Sequence, residues 1–210
     1  DVAYNYTLVA SDVDAGDALT FSATTLPSWL SFDAASGVLS GTPTNAQVGS
    51  HQVVLIATDR AGLVDTQSFA ITVTNVNDAP TVAMPIANRS IDQDSFFGFQ
   101  FGLQVFNDVD VGDRLTYTAT LANGGELPPW LTFNPETRTF SGTPENADVG
   151  AISVKVTATD RGGLAVSDTF TIVVSNINDA PTITSTAVTA INEDVAYNYT
   201  LVASDVDAGD

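Results

Sequence analysis

The sequence predicts an all-β fold made of tandem β-sandwiches, and three observations support this prediction. Apolar side chains alternate with polar ones, as at Phe69, Ile71 and Val73, which is the period of a strand with one buried face. Gly, Asp, Asn and Pro interrupt such segments at intervals of roughly 8–12 residues, which is typical of a sandwich. The chain also repeats itself, so the strands fall into equivalent units.

The repeat contains two alternating kinds of unit. Residues 1–17 return unchanged at 194–210. Weaker internal copies pair 26–49 with 127–150, 56–63 with 157–164, and 74–82 with 175–183. Because a whole period returns without a change, we expect the chain to belong to a longer tandem array.

The spacing of the copies sets the expected domain boundaries. Each unit of about 96 residues has about seven strand segments, which is the count of an immunoglobulin-like sandwich. The units meet at an Asn-Asp-Ala-Pro junction, where Pro80 or Pro181 fixes the backbone and leaves no room for a flexible linker. We therefore predict sandwiches joined end to end: residues 1–78 lack their first strand, 79–179 are complete, and 180–210 are the opening strands of a third. The last segment is not expected to fold alone.

Composition excludes several classes of function. The chain has 25 Asp and Glu against six Lys and Arg, for a net charge of −19. Such a surface repels phosphate, so we predict no nucleic-acid partner and no attraction to anionic lipid. No apolar segment is long enough for membrane insertion. The absence of Cys excludes thiol catalysis, disulfides and Cys-based zinc sites, and no nucleophile–histidine pattern occurs, so we predict no enzyme.

The acid is concentrated at three recurring places. These are the acidic turns DVDxGD (12–17, 108–113 and 205–210), the strand-end sequence ATDR (Asp59 and Asp160) and the junction segments NxND (75–78 and 176–179). Carboxylates so close together repel one another, and a hard cation such as Ca²⁺, which takes six to eight oxygen ligands, would relieve that repulsion. An EF-hand is excluded because the twelfth position of the loop is Ala23 or Ala119 instead of Glu.

These motifs also resemble a known family. The junction sequences NVNDAP and NINDAP, the DVD of the acidic turns and the ATD at the strand ends resemble the calcium-site motifs of cadherins, in the same order. The LPxWLxF and SGTP sequences resemble the dystroglycan-type cadherin-like and putative-Ig repeats of large bacterial surface proteins. The resemblance implies immunoglobulin-like, cadherin-like sandwiches in a secreted protein. The implied function is that of a Ca²⁺-stiffened structural repeat, an extender or cell-adhesion module of a bacterial surface adhesin or filament.

The resemblance also implies ligand sets. The first junction would combine Asn75, Asn77 and Asp78 with Asp108, Asp110 and Asp160, and the second would combine Asn176, Asn178 and Asp179 with Asp205 and Asp207. Asp113, the last aspartate of the second acidic turn, is a further candidate ligand. Asp12, Asp14 and Asp59 would face a preceding unit, and Glu193 matches the family's glutamate near the start of a repeat. Asn75 replaces an aspartate, Gln93 replaces that glutamate, and the cadherin DRE motif has no counterpart. We therefore expect fewer or weaker ions per junction than in a vertebrate cadherin.

Two other functions stay open at this point. Trp29 and Trp130, each within LPxWL, could form a platform for a calcium-dependent carbohydrate-binding module, although their apolar neighbours favour a place in or beside the core. Alternatively, identical units could associate with one another. The expected partners are thus neighbouring repeats of the same or an identical chain, with carbohydrate as the alternative.

Overall fold

The computed structural model describes residues 2–14 and 16–207, and the chain divides into two compact units. The first unit comprises the chain up to Asp78 together with Val109–Asp113, and the second comprises Ala79–Asp108 and the chain from Arg114 onward. The all-β prediction is confirmed, since the regular elements of the described residues are strands apart from two single-turn 3-10 helices. Within that part of the chain, neither helix has the length or apolar character needed to cross a membrane.

The first unit is a sandwich of two three-stranded sheets. One sheet has the order β1-β4-β3 and the other β2-β5-β6, with antiparallel neighbours. The strands are β1 (Tyr4–Thr7), β2 (Thr20–Thr25), β3 (Leu30–Asp33), β4 (Val38–Gly41), β5 (Gly49–Thr58) and β6 (Val64–Val73). Every second residue of β5 faces the core, where Val53 and Leu55 are fully buried against Leu39. The period of two in the sequence therefore corresponds to one buried face.

The second unit has the same arrangement with more strands. Its main sheets have the orders β11-β14-β15-β8 and β12-β13-β9, and two short pairs, β10-β7 and β16-β17, complete it. The strands are β7 (Thr81–Val82), β8 (Arg89–Asp92), β9 (Phe97–Gln100), β10 (Phe106–Asn107), β11 (Thr116–Leu121), β12 (Leu131–Asn134), β13 (Thr139–Gly142), β14 (Gly150–Thr159), β15 (Ala165–Ser175), β16 (Thr182–Ile183) and β17 (Ala203–Ser204). All pairs are antiparallel except β15 with β8.

Aromatic side chains fill the centre of the second unit. Phe140 and Phe170 are almost fully buried, and their ring centroids are 5.6 Å apart in an edge-to-face arrangement. Phe133 packs on Phe140 with 4.6 Å between centroids. Contacts of this kind add stability beyond the burial of apolar area and fix the two sheets against each other.

The SGTP motif fixes the loop that leads to the 3-10 helices. A Cβ atom on Gly41 would overlap the carbonyl oxygen of Trp29, and a Cβ atom on Gly142 would overlap that of Trp130. Only glycine allows this close approach of two backbones. The chain then enters the 3-10 helices Asn45–Gln47 in the first unit and Asn146–Asp148 in the second.

Candidate metal centre

The first acidic turn lies beside the end of β5. Asp12, Asp17 and Asp59 each offer a carboxylate oxygen, and these atoms lie within 4.8 Å of one another. Asp59 directly follows β5, and its Oδ1 accepts the backbone N–H of Leu63 at 2.7 Å. Asp14 donates its backbone N–H to Oδ1 of Asp12 at 2.8 Å. Local turn hydrogen bonds thus orient the Asp12 and Asp59 carboxylates within this cluster.

The equivalent residues in the second unit are less exposed to solvent. Asp108 and Asp160 also offer oxygens within 4.8 Å of each other, and Asp160 is only 6% exposed. Leu164 donates its backbone N–H to Asp160 Oδ1 at 2.8 Å, which repeats the turn at Asp59. Asp113 belongs to the first compact unit, and its backbone N–H donates to the carbonyl of Asp110 at 3.2 Å.

The first junction segment contacts the middle of an acidic turn. Asp78 donates its backbone N–H to Oδ2 of Asp110 at 2.8 Å. The side-chain amide of Asn77 donates to the carbonyl of Asp78 at 3.3 Å, and that of Asn45 donates to Oδ2 of Asp78 at 2.7 Å. Asp110 is 7% exposed, whereas Asp14, at the same position of the first acidic turn, is exposed. The contact with the junction segment accompanies burial of the second aspartate of the turn.

The second junction segment repeats this arrangement. Asp179 donates its backbone N–H to Oδ2 of Asp207 at 2.6 Å, and Asp207 donates its own N–H to Oδ1 of Asp205 at 2.9 Å. The Asn178 amide donates to the carbonyl of Asp179 at 2.8 Å. Gln93 donates from Nε2 to Oδ2 of Asp179 at 3.1 Å. The sequence therefore brings the same donor and acceptor types together at both junctions.

Two buried oxygen atoms at the second junction lack a hydrogen-bond donor within residues 2–14 and 16–207. They are Oδ1 of Asp207 and Oε1 of Gln93. Asp207 is 6% exposed and Gln93 is 2% exposed, and both residues hydrogen-bond to Asp179. A buried carboxylate oxygen with no partner is costly, and native proteins normally satisfy it with a donor, water or a cation. The atoms available here as metal ligands are all oxygens, which fits a hard cation such as Ca²⁺.

Three other predicted ligands are open to solvent. Asn75, Asn176 and Glu193 are exposed. Asp210, the last aspartate of the third acidic turn, lies outside the described residues. Asp194 has a positive φ of 64°, and Asp94 has one of 59°. The chain therefore turns in the same way directly after Glu193 and after Gln93.

Sequence reasoning missed two residues that contact the junctions. Asn45 and Asn146 start the two 3-10 helices, and both side-chain amides reach an acidic turn or junction segment. The only signal in the sequence was that Asn occupies the same place in GTPTNA and GTPENA. Because Asn is common in turns, this repetition alone does not distinguish a turn residue from a contact residue.

The two tryptophans belong to the margins of the cores. Trp29 packs against the first core and meets Tyr4 edge to face at 6.3 Å between ring centroids. Trp130 packs against the second core and meets Phe97 in the same way at 6.2 Å. Both are partly buried, which confirms the prediction of a place in or beside the core.

Comparison with known proteins identifies the family of this chain. The chain belongs to the family described as "Putative Ig domain", which matches residues 1–74 and 79–175. A "Serine-rich adhesin for platelets" of Staphylococcus aureus (strain USA300) is 34% identical over 152 residues. That match covers 72% of this chain and only 6% of the relative's length.

Solved structures show the same cadherin-like fold. PcdhgB3 EC1-4 superposes with a TM-score of 0.62 at 17% identity, over 99% of this chain and 55% of that one. Extracellular cadherin domains 1–4 of Protocadherin Gamma B7 give a TM-score of 0.53 at 20% identity, over 93% of this chain and 51% of that one. The predicted immunoglobulin-like, cadherin-like fold is thereby confirmed.

Proposed function

We propose that this chain is a Ca²⁺-stiffened structural repeat of an extracellular bacterial adhesin or surface filament, in which it acts as an extender and cell-adhesion module. The observation that carries the proposal is the buried Oδ1 of Asp207, which no donor in the described residues satisfies. Oε1 of Gln93 is also buried and has no donor among those residues. The staphylococcal relative is named as an adhesin, which supports a place at the bacterial cell surface.

The residues of the second junction have suitable chemistry for holding Ca²⁺. Asp205, Asp207 and Asp179 would supply carboxylate oxygens, and Gln93 would supply an amide oxygen. Bound Ca²⁺ would supply positive charge that neutralises these carboxylates. The backbone N–H of Asp179 orients Asp207 by a hydrogen bond to Oδ2, which leaves Oδ1 available as a ligand.

The proposed mechanical effect follows from the charge. Without a cation, carboxylates of a junction segment and an acidic turn repel one another at close range. This repulsion favours separation of neighbouring repeats about the Asn-Asp-Ala-Pro junction. A cation held by both segments would remove this repulsion. Because it would bind only the assembled geometry, it would stabilise that geometry by mass action, and the array would become stiffer.

A calcium titration by calorimetry, combined with small-angle scattering, tests this proposal. We expect saturable binding in the range of extracellular modules, with dissociation constants of about 10⁻⁴ to 10⁻³ M. We also expect a larger maximum dimension in calcium than in chelator. Magnesium at the same ionic strength is the control, because Mg²⁺ dehydrates reluctantly and demands a stricter geometry. A titration without saturable heat would reject calcium binding, and an unchanged maximum dimension would reject stiffening.

A further inference from the structure

We propose that Asn45 and Asn146, the loop asparagines, are positioning residues that hold an acidic turn against its junction without a metal ion. Both residues begin a 3-10 helix after the SGTP motif, and both are partly buried. This role is independent of the calcium proposal, because each contact is formed by a side-chain amide hydrogen.

The 3-10 helices do not need these asparagines for their own capping. Gln47 accepts the backbone N–H of Thr44 at Oε1 over 2.9 Å, and Asp148 accepts that of Glu145 at Oδ2 over 2.9 Å. The residue three positions after the N-cap therefore closes each helix start, as in a capping box. The amide of the asparagine is left to make contacts far away in sequence.

The two amides reach different parts of their junctions. Asn45 donates from Nδ2 to Oδ2 of Asp78 at 2.7 Å and, more weakly, to Oδ1 of Asp110 at 3.4 Å. Asn146 donates from Nδ2 to the carbonyl of Val206 at 2.7 Å. Val206 lies between Asp205 and Asp207 of the third acidic turn. One amide therefore contacts a junction carboxylate and the other the backbone of the acidic turn.

The chemistry of the donor decides what these contacts can do. An amide N–H satisfies an acceptor in a negatively charged neighbourhood without adding charge, and it is not a ligand for Ca²⁺, which binds oxygen. The contact can therefore form in the absence of ions, when the carboxylates repel most strongly. We infer that it keeps Asp110 and Asp207 close to the junction N–H groups that orient them.

The hold on the junction N–H groups can be measured as their rate of hydrogen exchange in chelator, where bound calcium does not affect that rate. Asn146→Ala should accelerate exchange of the Asp179 N–H roughly five- to tenfold, the effect of losing one hydrogen bond. Asn146→Asp should accelerate it further, because a carboxylate would face the carbonyl of Val206. Exchange of the β14 amide of Val154, deep in the core, reports whether the unit is still folded and should not change. Asn192→Ala, at an exposed asparagine of the third repeat, is the matched control and should leave both rates unchanged.

The first unit provides an independent second measurement. Asn45→Ala should accelerate exchange of the Asp78 N–H, with the Val53 amide of β5 as the folding control. Unchanged exchange at Asp78 and Asp179 in chelator, in folded variants, would overturn the proposal. A variant that lost calcium affinity but kept these rates would do the same. If the variants show the expected acceleration but the wild-type protein binds no calcium, only the calcium proposal is refuted.

Discussion

Asp179 donates its backbone N–H to Oδ2 of Asp207, 2.6 Å away, although the two residues are 28 positions apart. Asp78 and Asp110 form the same pair at 2.8 Å with a separation of 32 positions. In each pair the junction backbone orients the second aspartate of an acidic turn, and that aspartate is buried. A charged acceptor makes such a bond stronger than a neutral one. The orientation of these carboxylates is therefore built into the protein.

Removal of the Asp207 charge should weaken calcium binding. Asp207→Asn keeps the shape of the side chain and an oxygen that can accept the Asp179 N–H, but it removes one negative ligand. We expect a loss of affinity of roughly tenfold at this junction, since affinity depends on the number of charged ligands. Calorimetric titration measures it. Asp65→Asn, at an exposed position of β6, is the control, and equal affinities of the two variants would contradict the assignment.

Replacement of the buried amide by a carboxylate should make the second junction more dependent on calcium. Gln93→Glu would place a negative charge at a site that is 2% exposed, next to the Asp179 carboxylate. A buried charge without a partner is strongly destabilising, whereas a cation would compensate it. We therefore expect a lower melting temperature than wild type in chelator and a larger increase on addition of calcium.

The matched change at an exposed glutamine is Gln104→Glu, which should shift neither value by a comparable amount. If Gln93→Glu melts at the wild-type temperature in chelator, its side chain does not lie in a buried acidic site. If it melts lower but calcium gives no larger increase, Gln93 is not next to a cation site.

The turn at Asp33 should make a contribution to stability that is lost in acid. Hydrogen bonds from the Ser36 hydroxyl at 2.7 Å and then from the Ala35 N–H at 2.9 Å lower the pKa of the Asp33 carboxyl below its ordinary value of 3.8. A carboxyl whose pKa is lower in the folded state contributes stability above its unfolded pKa, and this contribution is lost as pH falls through the folded pKa. Asp33→Asn should therefore lose less stability than wild type between pH 5 and pH 2, measured as urea midpoints. The difference should be small because Asp33 is exposed.

The second repeat supplies the matched comparison for this turn. Asn134 accepts the backbone N–H groups of Glu136 and Thr137 at 3.0 and 3.2 Å, so an amide fulfils the same role there without titrating. Asn134→Asp should introduce the acid-dependent loss. If Asp33→Asn and wild type lose stability in parallel, the hydrogen bonds to Asp33 do not distinguish its ionised form.

The close approach at the SGTP motif should not tolerate a methyl group. Gly142→Ala would force the Trp130 carbonyl away from β13, and we expect a loss of about 1–3 kcal/mol in the free energy of unfolding. Urea denaturation followed by Trp fluorescence measures this loss. The neighbouring Ser141→Ala adds no atoms and should cost much less; a Gly142→Ala variant as stable as Ser141→Ala would contradict the steric argument.

The sequence by itself determined the all-β fold, the repeat and the identity of the acidic residues. Alternation along β5 and β14 needs only the local geometry of a strand, and the return of residues 1–17 needs only comparison of the chain with itself. The pairing of Asp179 with Asp207 could be expected only by analogy, since no local rule joins residues so far apart in sequence.

The tertiary structure alone decided which polar groups are buried and which contact each other. Asp14 and Asp207 occupy the same position of the same sequence motif, yet Asp14 is exposed and Asp207 is buried. The contacts of Asn45 and Asn146 likewise depend on loops that meet only after the sheets have packed. Burial and hydrogen bonding are properties of the environment that other segments create, and an identical local sequence cannot encode two different environments.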